Sequence, residues 1–269
     1  MDYKEIAKKI RIDIIKEVHE AGSGHPGGSL SCADLVTALY FKEMNIDPKN
    51  PKMEDRDKLI LSKGHAAPAQ YAALAERGYF PVEELMTLRK LGSHLQGHPN
   101  RDKVPGIEMS TGSLGQGFSV SVGMALANKL DNKKGRVYVI LGDGELQEGL
   151  VWEAAMSAGH YHLSNLCAIV DWNGLQIDGK NDDVMTVRPI DEKFKAFGFN
   201  VIMIDGHNFD EIFDAFDKAR LEKDKPTCII AKTHKGKGVS FMEDNAGWHG
   251  KAPNAEETEK AILELGGEN

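Results

Sequence analysis

Cysteine is scarce in this chain. Cys32, Cys167 and Cys228 are odd in number, widely spaced and mostly set in apolar surroundings, which excludes a disulfide framework or a cysteine zinc site and leaves them as reduced packing residues. Long apolar runs are missing too, none approaching the roughly eighteen residues a membrane helix needs, so no span is expected. The start, Met1-Asp2-Tyr3-Lys4-Glu5, has no charged-then-apolar export signal, and a cytoplasmic location is the expectation. Positive charge is outweighed, 33 Lys and Arg against 41 Asp and Glu for a net charge of −8, with both signs mixed along the chain. No basic stripe is available to neutralise a nucleic-acid backbone, which excludes that class of partner. Internal repeats, low-complexity tracts and interdomain linkers are absent as well. A length of 269 residues fits one large α/β domain spanning 1–269.

The most informative feature present is Gly142-Asp143-Gly144-Glu145 followed by Asn173. Residues 137–141 and 166–170 are short, apolar and rich in β-branched side chains, which predicts two buried parallel strands with a helical stretch between them. Asp143 and Asn173 then emerge at the carboxyl ends of adjacent strands, where open α/β sheets place their ligands. A carboxylate and an amide oxygen suit a hard divalent cation such as Mg²⁺, which completes its shell with phosphate oxygens. The pair therefore predicts a diphosphate cofactor. Gly-Asp-Gly, a spacer of 28 residues and then Asn resembles the thiamine-diphosphate signature, although Gly-Asp-Gly is also a common surface turn.

Ile6, Ile10, Ile14 and Val18 recur every four residues in a charged background and predict an amphipathic packing helix over 3–20. The loop Gly22–Gly28 reads as non-helical, and Ser31 with Asp34 resembles a capping box opening a helix over 31–43. A strand over 58–61 delivers Ser62-Lys63-Gly64-His65; helices over 67–77 and 82–90 lead into a long loop, 92–111, of a length that marks function. Thr111–Gly117 opens a helix whose Val120, Met124, Ala127 and Leu130 are expected to form its apolar face. Its Gly-x-x-Gly-x-Gly spacing is neither the dinucleotide fingerprint nor a P-loop, yet a glycine-rich helix start can still hold a diphosphate through its N–H groups. Beyond the central unit, a strand over 200–205, a helix over 208–222, a strand over 227–232, a loop over 233–250 and a helix over 254–265 complete the reading.

Of ten histidines, His25, His65, His98 and His249 sit beside glycine in expected loops, where a substrate can approach the backbone closely. Imidazoles converging on one pocket suit sugar hydroxyls and proton transfer. His94 with His98, and His160 with His162, have metal-like spacings, but no carboxylate or cysteine set completes either, and surface positions are expected. A capping role is expected for His207.

Taken together, Gly24-His25-Pro26-Gly27, Leu61–His65, Gly97-His98-Pro99, Thr111–Gly117, Gly142–Gly149 and Gly247–Gly250 resemble, in order, the amino-terminal part of transketolase. The resemblance implies an α/β fold: a single thiamine-diphosphate-binding domain with a mostly parallel central sheet and helices on both faces. It implies that Asp143, Asn173 and the carbonyl of Leu175 hold Mg²⁺, or Ca²⁺ or Mn²⁺ in its place. Gly142, Gly144, Gly112, Ser113, Leu114 and Ile177 are implied to line the thiamine diphosphate. His65 and His249 match histidines near the diphosphate and reacting carbons, and His25 and His98 match those that contact sugar hydroxyls and help move protons. Glu148 and Glu153 fall where the family links its cofactor sites across the subunit interface, although helix-start carboxylates are also favoured by the dipole alone.

Two departures stand out. Ser113 replaces a proline common in the family, and the chain stops where a transketolase continues with pyrimidine-binding and C-terminal domains. The resemblance thus implies a split transketolase, in which a second polypeptide supplies those domains and the groups that grip sugar phosphates, with two copies of each chain. Its activity would be transfer of a two-carbon ketol unit from ketose phosphate to aldose phosphate. Alternatives are a subunit of another thiamine-diphosphate enzyme, deoxyxylulose-phosphate synthase-like or 2-oxo acid decarboxylating, which the four histidines disfavour, and a non-catalytic cofactor-binding subunit.

Overall fold

An aspartate opens the first helix and a glycine closes it. In the computed structural model, which describes residues 1–267, Asp2 accepts the free N–H groups of Lys4 and Glu5 at the start of α1 (Tyr3–Ala21), and Gly22 ends it in the left-handed conformation at φ 61. α2 (Pro26–Ser31) and α3 (Ala33–Ala38) follow, and α3 runs on as a π-helical turn over Leu39–Glu43.

Two expectations are corrected here. Residues from Pro26 onward are helical, because proline is well placed in a first turn and the glycines let the helix press against its neighbours. A Cβ on Gly27 would lie 2.9 Å from the carbonyl oxygen of Trp248. Nor is there a capping box at Ser31. Its hydroxyl faces the carbonyl of Gly28 and the carboxylate of Asp171, while Asp34 is held by Arg11 and His207.

β1 (Lys58–Leu61) leads through a 3₁₀ turn, Gly64–Ala66, into α4 (Ala67–Arg77). The helix expected over 82–90 is a shorter 3₁₀ segment, Val82–Thr87, followed by the long loop. α5 (Gln116–Leu130), β2 (Val137–Gly142), α6 (Gly149–His160) and β3 (Leu166–Trp172) form the predicted central unit. A small hairpin of β4 (Leu175–Gln176) and β5 (Gly179–Lys180) precedes α7 (Asn181–Val184) and α8 (Ile190–Ala196). β6 (Asn200–Asp205), α9 (Phe209–Leu221), β7 (Thr227–Lys232) and α10 (Ala255–Glu264) complete the fold.

The five long strands pair in parallel in the order β1-β2-β3-β7-β6. Their alternate side chains feed two cores. Tyr138, Ile140, Cys167 and Ile169 pack beneath α1, α3, α4, α9 and α10, whereas Val139, Leu141, Ala168 and Val170 pack beneath α5, α6 and α8. These five strands point the same way, so every turn at their carboxyl ends opens on one rim. All three cysteines are free and buried, and no described helix is long and apolar enough to cross a membrane.

α5 turns the opposite face inward from the one expected. Gly117, Phe118, Ser121, Val122 and Ala125 are buried, while Leu130 is 72% exposed. Small residues allow the helix to sit close to the sheet: a Cβ on Gly117 would lie 2.7 Å from the Cα of Ser62. Of the expected stripe, Ala127 and Leu130 face out, Val120 is half-buried, and Met124 packs against the edge of the core.

Candidate active site

The rim at the carboxyl ends of β1, β2 and β3 holds a cleft of about 210 Å³ lined by His65, Leu114, Gly142, Asp143, Gly144, Glu148, Asn173, Leu175, Ile177 and His249. Gly28, Lys63, Glu145 and Lys235 also face it. Asp143 is 1% exposed at the tip of β2. Its two oxygens accept the backbone N–H groups of Gly144, at 2.9 Å, and of Gly174, at 2.5 Å. It forms no ion pair among the described residues. Burial and the neighbouring Asp171 charge push its carboxyl up to about 6. Asn173 stands beside it at the end of β3, its Oδ1 accepting the N–H of Leu175 and its Nδ2 donating to Asp171.

A buried carboxylate without a counter-ion, an amide oxygen and a nearby carbonyl make an oxygen donor set that fits a hard divalent cation. No group of three or more His, Cys, Asp or Glu side chains among the described residues is arranged to hold a metal by itself. Such a cation would need further oxygens from its ligand, as a diphosphate provides.

The cleft also fits an anion. Lys63 and Lys235 are each 2% exposed. Asp171 engages the Lys63 ammonium, but Lys235 meets no carboxylate among the described residues. Its Nζ lies 3.0 Å from His249 Nδ1, and burial, together with Lys63, lowers it to about 8. An ammonium donating to Nδ1 leaves the His249 proton on Nε2.

Four histidines from four separate segments converge at the mouth. Ring centroids lie 5.3 Å apart for His25 and His65, 5.4 Å for His25 and His249, 5.2 Å for His65 and His249, and 6.5 Å for His25 and His98. Burial, then nearby positive charge, keeps them neutral. His25 falls to about 4, with Arg89 the next cause, and His249 to about 3, with Lys235 the next. His65 is pushed well below its ordinary value by burial and Lys63, and His98 is lowered by burial and Arg89. Neutral imidazoles both donate and accept, as polyol recognition and proton transfer require.

Glycine geometry joins the parts. A Cβ on Gly64 would lie 2.7 Å from the backbone N of Gly112, so the turn after β1 and the turn before α5 meet backbone to backbone. Glu145, 2% exposed, locks the same corner: one oxygen faces the Ser62 hydroxyl and the Gly115 N–H, the other the Gly142 N–H.

A model of the family described as "Transketolase, thiamine diphosphate binding domain" matches residues 2–269. The chain belongs to the transketolase family. It is 47% identical over 265 residues to a 6-deoxy-6-sulfo-D-fructose transketolase subunit of Clostridium sp. (strain MSTE9), covering 98% of this chain and 96% of that one. It is 43% identical to an apulose-4-phosphate transketolase subunit of Phocaeicola vulgatus, covering 96% of this chain and 92% of that one. Transketolase from Leishmania mexicana superposes with a TM-score of 0.94 at 31% identity, covering all of this chain and 42% of that chain. The chain thus spans about two fifths of that transketolase and nearly all of the two subunits.

Within this transketolase domain, Ser113 is exposed and Glu153 lies outward on α6; neither lines the cleft. Gly112 backs the His98 ring instead, since a Cβ there would lie 3.2 Å from it. His207 is not a cap. It bridges Asp34 and the N–H of His234, while Asn208 caps α9. His160 and His162 are surface residues, and His94 faces Glu84. Lys235, Asp171 and the roles of Lys63 and Glu145 escaped sequence reasoning. The available signals were lysines in the turns after β1 and β7 and an aspartate inside the otherwise apolar β3.

Proposed function

We propose that this chain is the diphosphate-binding subunit of a two-chain transketolase that moves a two-carbon ketol unit from a ketose phosphate, or a similarly anionic ketose, to an aldose phosphate. The observation that carries the reading is the stacking of two kinds of chemistry. Four clustered histidines, two of which line the cleft, stand beside a floor that holds a buried Asp143 carboxylate and a buried Lys235 ammonium, neither of them in an ion pair among the described residues.

In this reading Asp143, Asn173 and the Leu175 carbonyl hold Mg²⁺, or Ca²⁺ or Mn²⁺. Gly142, Gly144, Leu114, Ile177, His65 and His249 border the thiamine diphosphate. Bound there, the cofactor supplies the electron sink for carbon–carbon cleavage. The chain supplies placement, proton transfer and exclusion of water. Lys235 directs the free N–H of His249 away from itself, giving the cleft a fixed donor. His25 and His98 contact the sugar hydroxyls, and His25, whose Nδ1 is buried without a partner, is suited to exchange a proton there.

A partner chain completes the site. Small-molecule sites usually occupy roughly 300–1,000 Å³, more than this cleft alone offers. Apolar side chains lie exposed at its edge: Ile177, 65% exposed, lines the cleft, and Met185, 62% exposed, is held beside it by Gln147, whose side-chain amide donates to the Met185 carbonyl. They share this side with Glu148 and Glu153, and they suit docking of a chain bearing pyrimidine-binding and C-terminal domains, two copies of each subunit forming the cytoplasmic enzyme. The 42% span of the Leishmania transketolase and the subunit names of the two relatives support the same division.

The test is reconstitution. Ketose–aldose exchange is measured with thiamine diphosphate and Mg²⁺ for this chain, for the partner and for the mixture. Activity in the mixture alone is the expected result. Decarboxylation of a 2-oxo acid, or no turnover in any combination, would refute the assignment.

A further inference from the structure

The ring of Tyr71 on α4 is fully buried in the larger core, yet its hydroxyl reaches the long loop at the mouth of the cleft. The phenolic proton is shared between the carbonyl oxygens of Gln96 and His98, each 3.0 Å away. Among the described residues these are the only hydrogen bonds tying positions 96–98 to any part of the fold outside the loop. Those within it are local: the N–H of Gln96 donates to His94 and its side-chain amide to Ser93.

The His98 ring itself receives no hydrogen bond within the described chain. It rests against the Gly112 backbone and stands 6.5 Å from the His25 ring. Where the imidazole points therefore follows from where its backbone is held, and the backbone is held by a core phenol.

We infer that Tyr71 is a positioning residue that sets the His98 imidazole against the sugar and so tunes how well the enzyme uses its donor and acceptor. The inference rests on the reading of His98 as a sugar-contacting residue. Tyr71 touches neither sugar nor cofactor. Its effect passes entirely through the loop.

The experiment is a double-mutant cycle in the reconstituted two-chain enzyme with thiamine diphosphate and Mg²⁺, comparing Tyr71→Phe, His98→Ala and both together. Cofactor affinity by calorimetry and amide exchange over residues 94–100 accompany the kinetics. Tyr71→Phe keeps the ring, so thermal melting stays near wild type. Loss of one hydrogen bond should lower kcat/KM for the ketose by roughly 3- to 10-fold, mainly through KM. Cofactor affinity should be unchanged, and exchange at 96–98 faster. In the His98→Ala background the same substitution should cost little more.

If His98→Ala leaves the sugar kinetics at wild type, the reading of His98 fails. If His98→Ala is impaired but Tyr71→Phe is not, the inference about Tyr71 fails on its own. An equal penalty in both backgrounds likewise overturns it. 4-Aminophenylalanine at position 71, which keeps a donor on the same ring, should restore the wild-type sugar parameters. Should the phenylalanine variant fail to fold while the amino variant folds, the hydroxyl is merely structural and the positioning role is refuted.

Discussion

The ammonium of Lys63 donates to Asp171 Oδ2 and to the carbonyl of Gly28, each at 2.6 Å, beneath the floor of the cleft. Asp171 is fully buried, and the hydroxyls of Ser31 and Thr233 also converge on it. Burial alone would raise its carboxyl, but Lys63 and these hydroxyls hold it below the ordinary value. One ion pair thereby ties the ends of β1 and β3 to α2 and to the turn after β7.

Lys63→Met should be severely destabilising, because it strands Asp171 without a counter-ion. A broken buried pair costs about 3–5 kcal/mol, and the melting temperature should fall by on the order of ten degrees. Lys63→Met combined with Asp171→Asn should recover part of that loss. Thermal unfolding of the three variants checks this, and an additive double mutant would refute the coupling.

Asp143→Ala should act in opposite directions on the free and loaded chain. Without ligand, removing a buried carboxylate that has no counter-ion should leave the melting temperature unchanged or raised. Affinity for thiamine diphosphate in the presence of Mg²⁺ should drop by on the order of 100-fold or more. Titration calorimetry with and without Mg²⁺ reads both, and retained Mg²⁺-dependent affinity would remove Asp143 from the metal site.

Lys235→Met should lift the His249 imidazole from about 3 toward its ordinary value, since Lys235 is the largest cause of that shift after burial. Ring-nitrogen chemical shifts followed through acid titration report it. In the unmodified chain Lys235 loses its proton near 8, so any diphosphate affinity that depends on its charge should be complete below that pH and decline above it. Affinity rising between pH 7 and 9 would contradict this.

Glu17→Met should stabilise the chain at neutral pH. Glu17 is fully buried in α1 with both carboxyl oxygens unpartnered, and burial and Asp13 push it well above its ordinary value. Asp13, one turn away, is raised to about 7 by burial and Glu76 of α4; Lys16 and Lys9 oppose this, and the Tyr71 phenol feels the Glu17 charge. Carboxyls raised in the fold stabilise it fully below their unfolded values near 4, and that stability is lost as pH climbs through the folded ones. Glu17→Met should therefore add about 1–3 kcal/mol at pH 8 and flatten the decline between pH 4 and 8. Denaturant titrations across that range decide it.

Legibility followed the range of the interactions. β1, β2, β3 and β7 were readable because a strand buried on both faces must be a short apolar run, β6 because even at the sheet edge it is a short β-branched run, and α1, α9 and α10 because they are amphipathic. Asp143, Asn173 and the histidines were readable as chemistry-bearing residues stranded in glycine-rich turns. Lys63 and Asp171 were not, because their meaning lies in a contact across 108 residues. α2 was missed because Gly27 reads locally as a helix breaker and is needed there for its closeness to Trp248 and the Lys235 side chain. The inward face of α5 was misjudged because small residues, Gly117, Ser121 and Ala125, let the helix approach the sheet and carry Phe118 and Val122 into the core.

The Glu145 carboxylate gathers donors from the ends of β1 and β2 and from the turn before α5 into one corner. Those segments cannot drift independently, so this half of the pocket arrives already shaped. Little binding free energy is then lost to ordering it when a cofactor docks, and the conformational cost of closure falls on the hairpin of β4 and β5 and on whatever surface seals the opening.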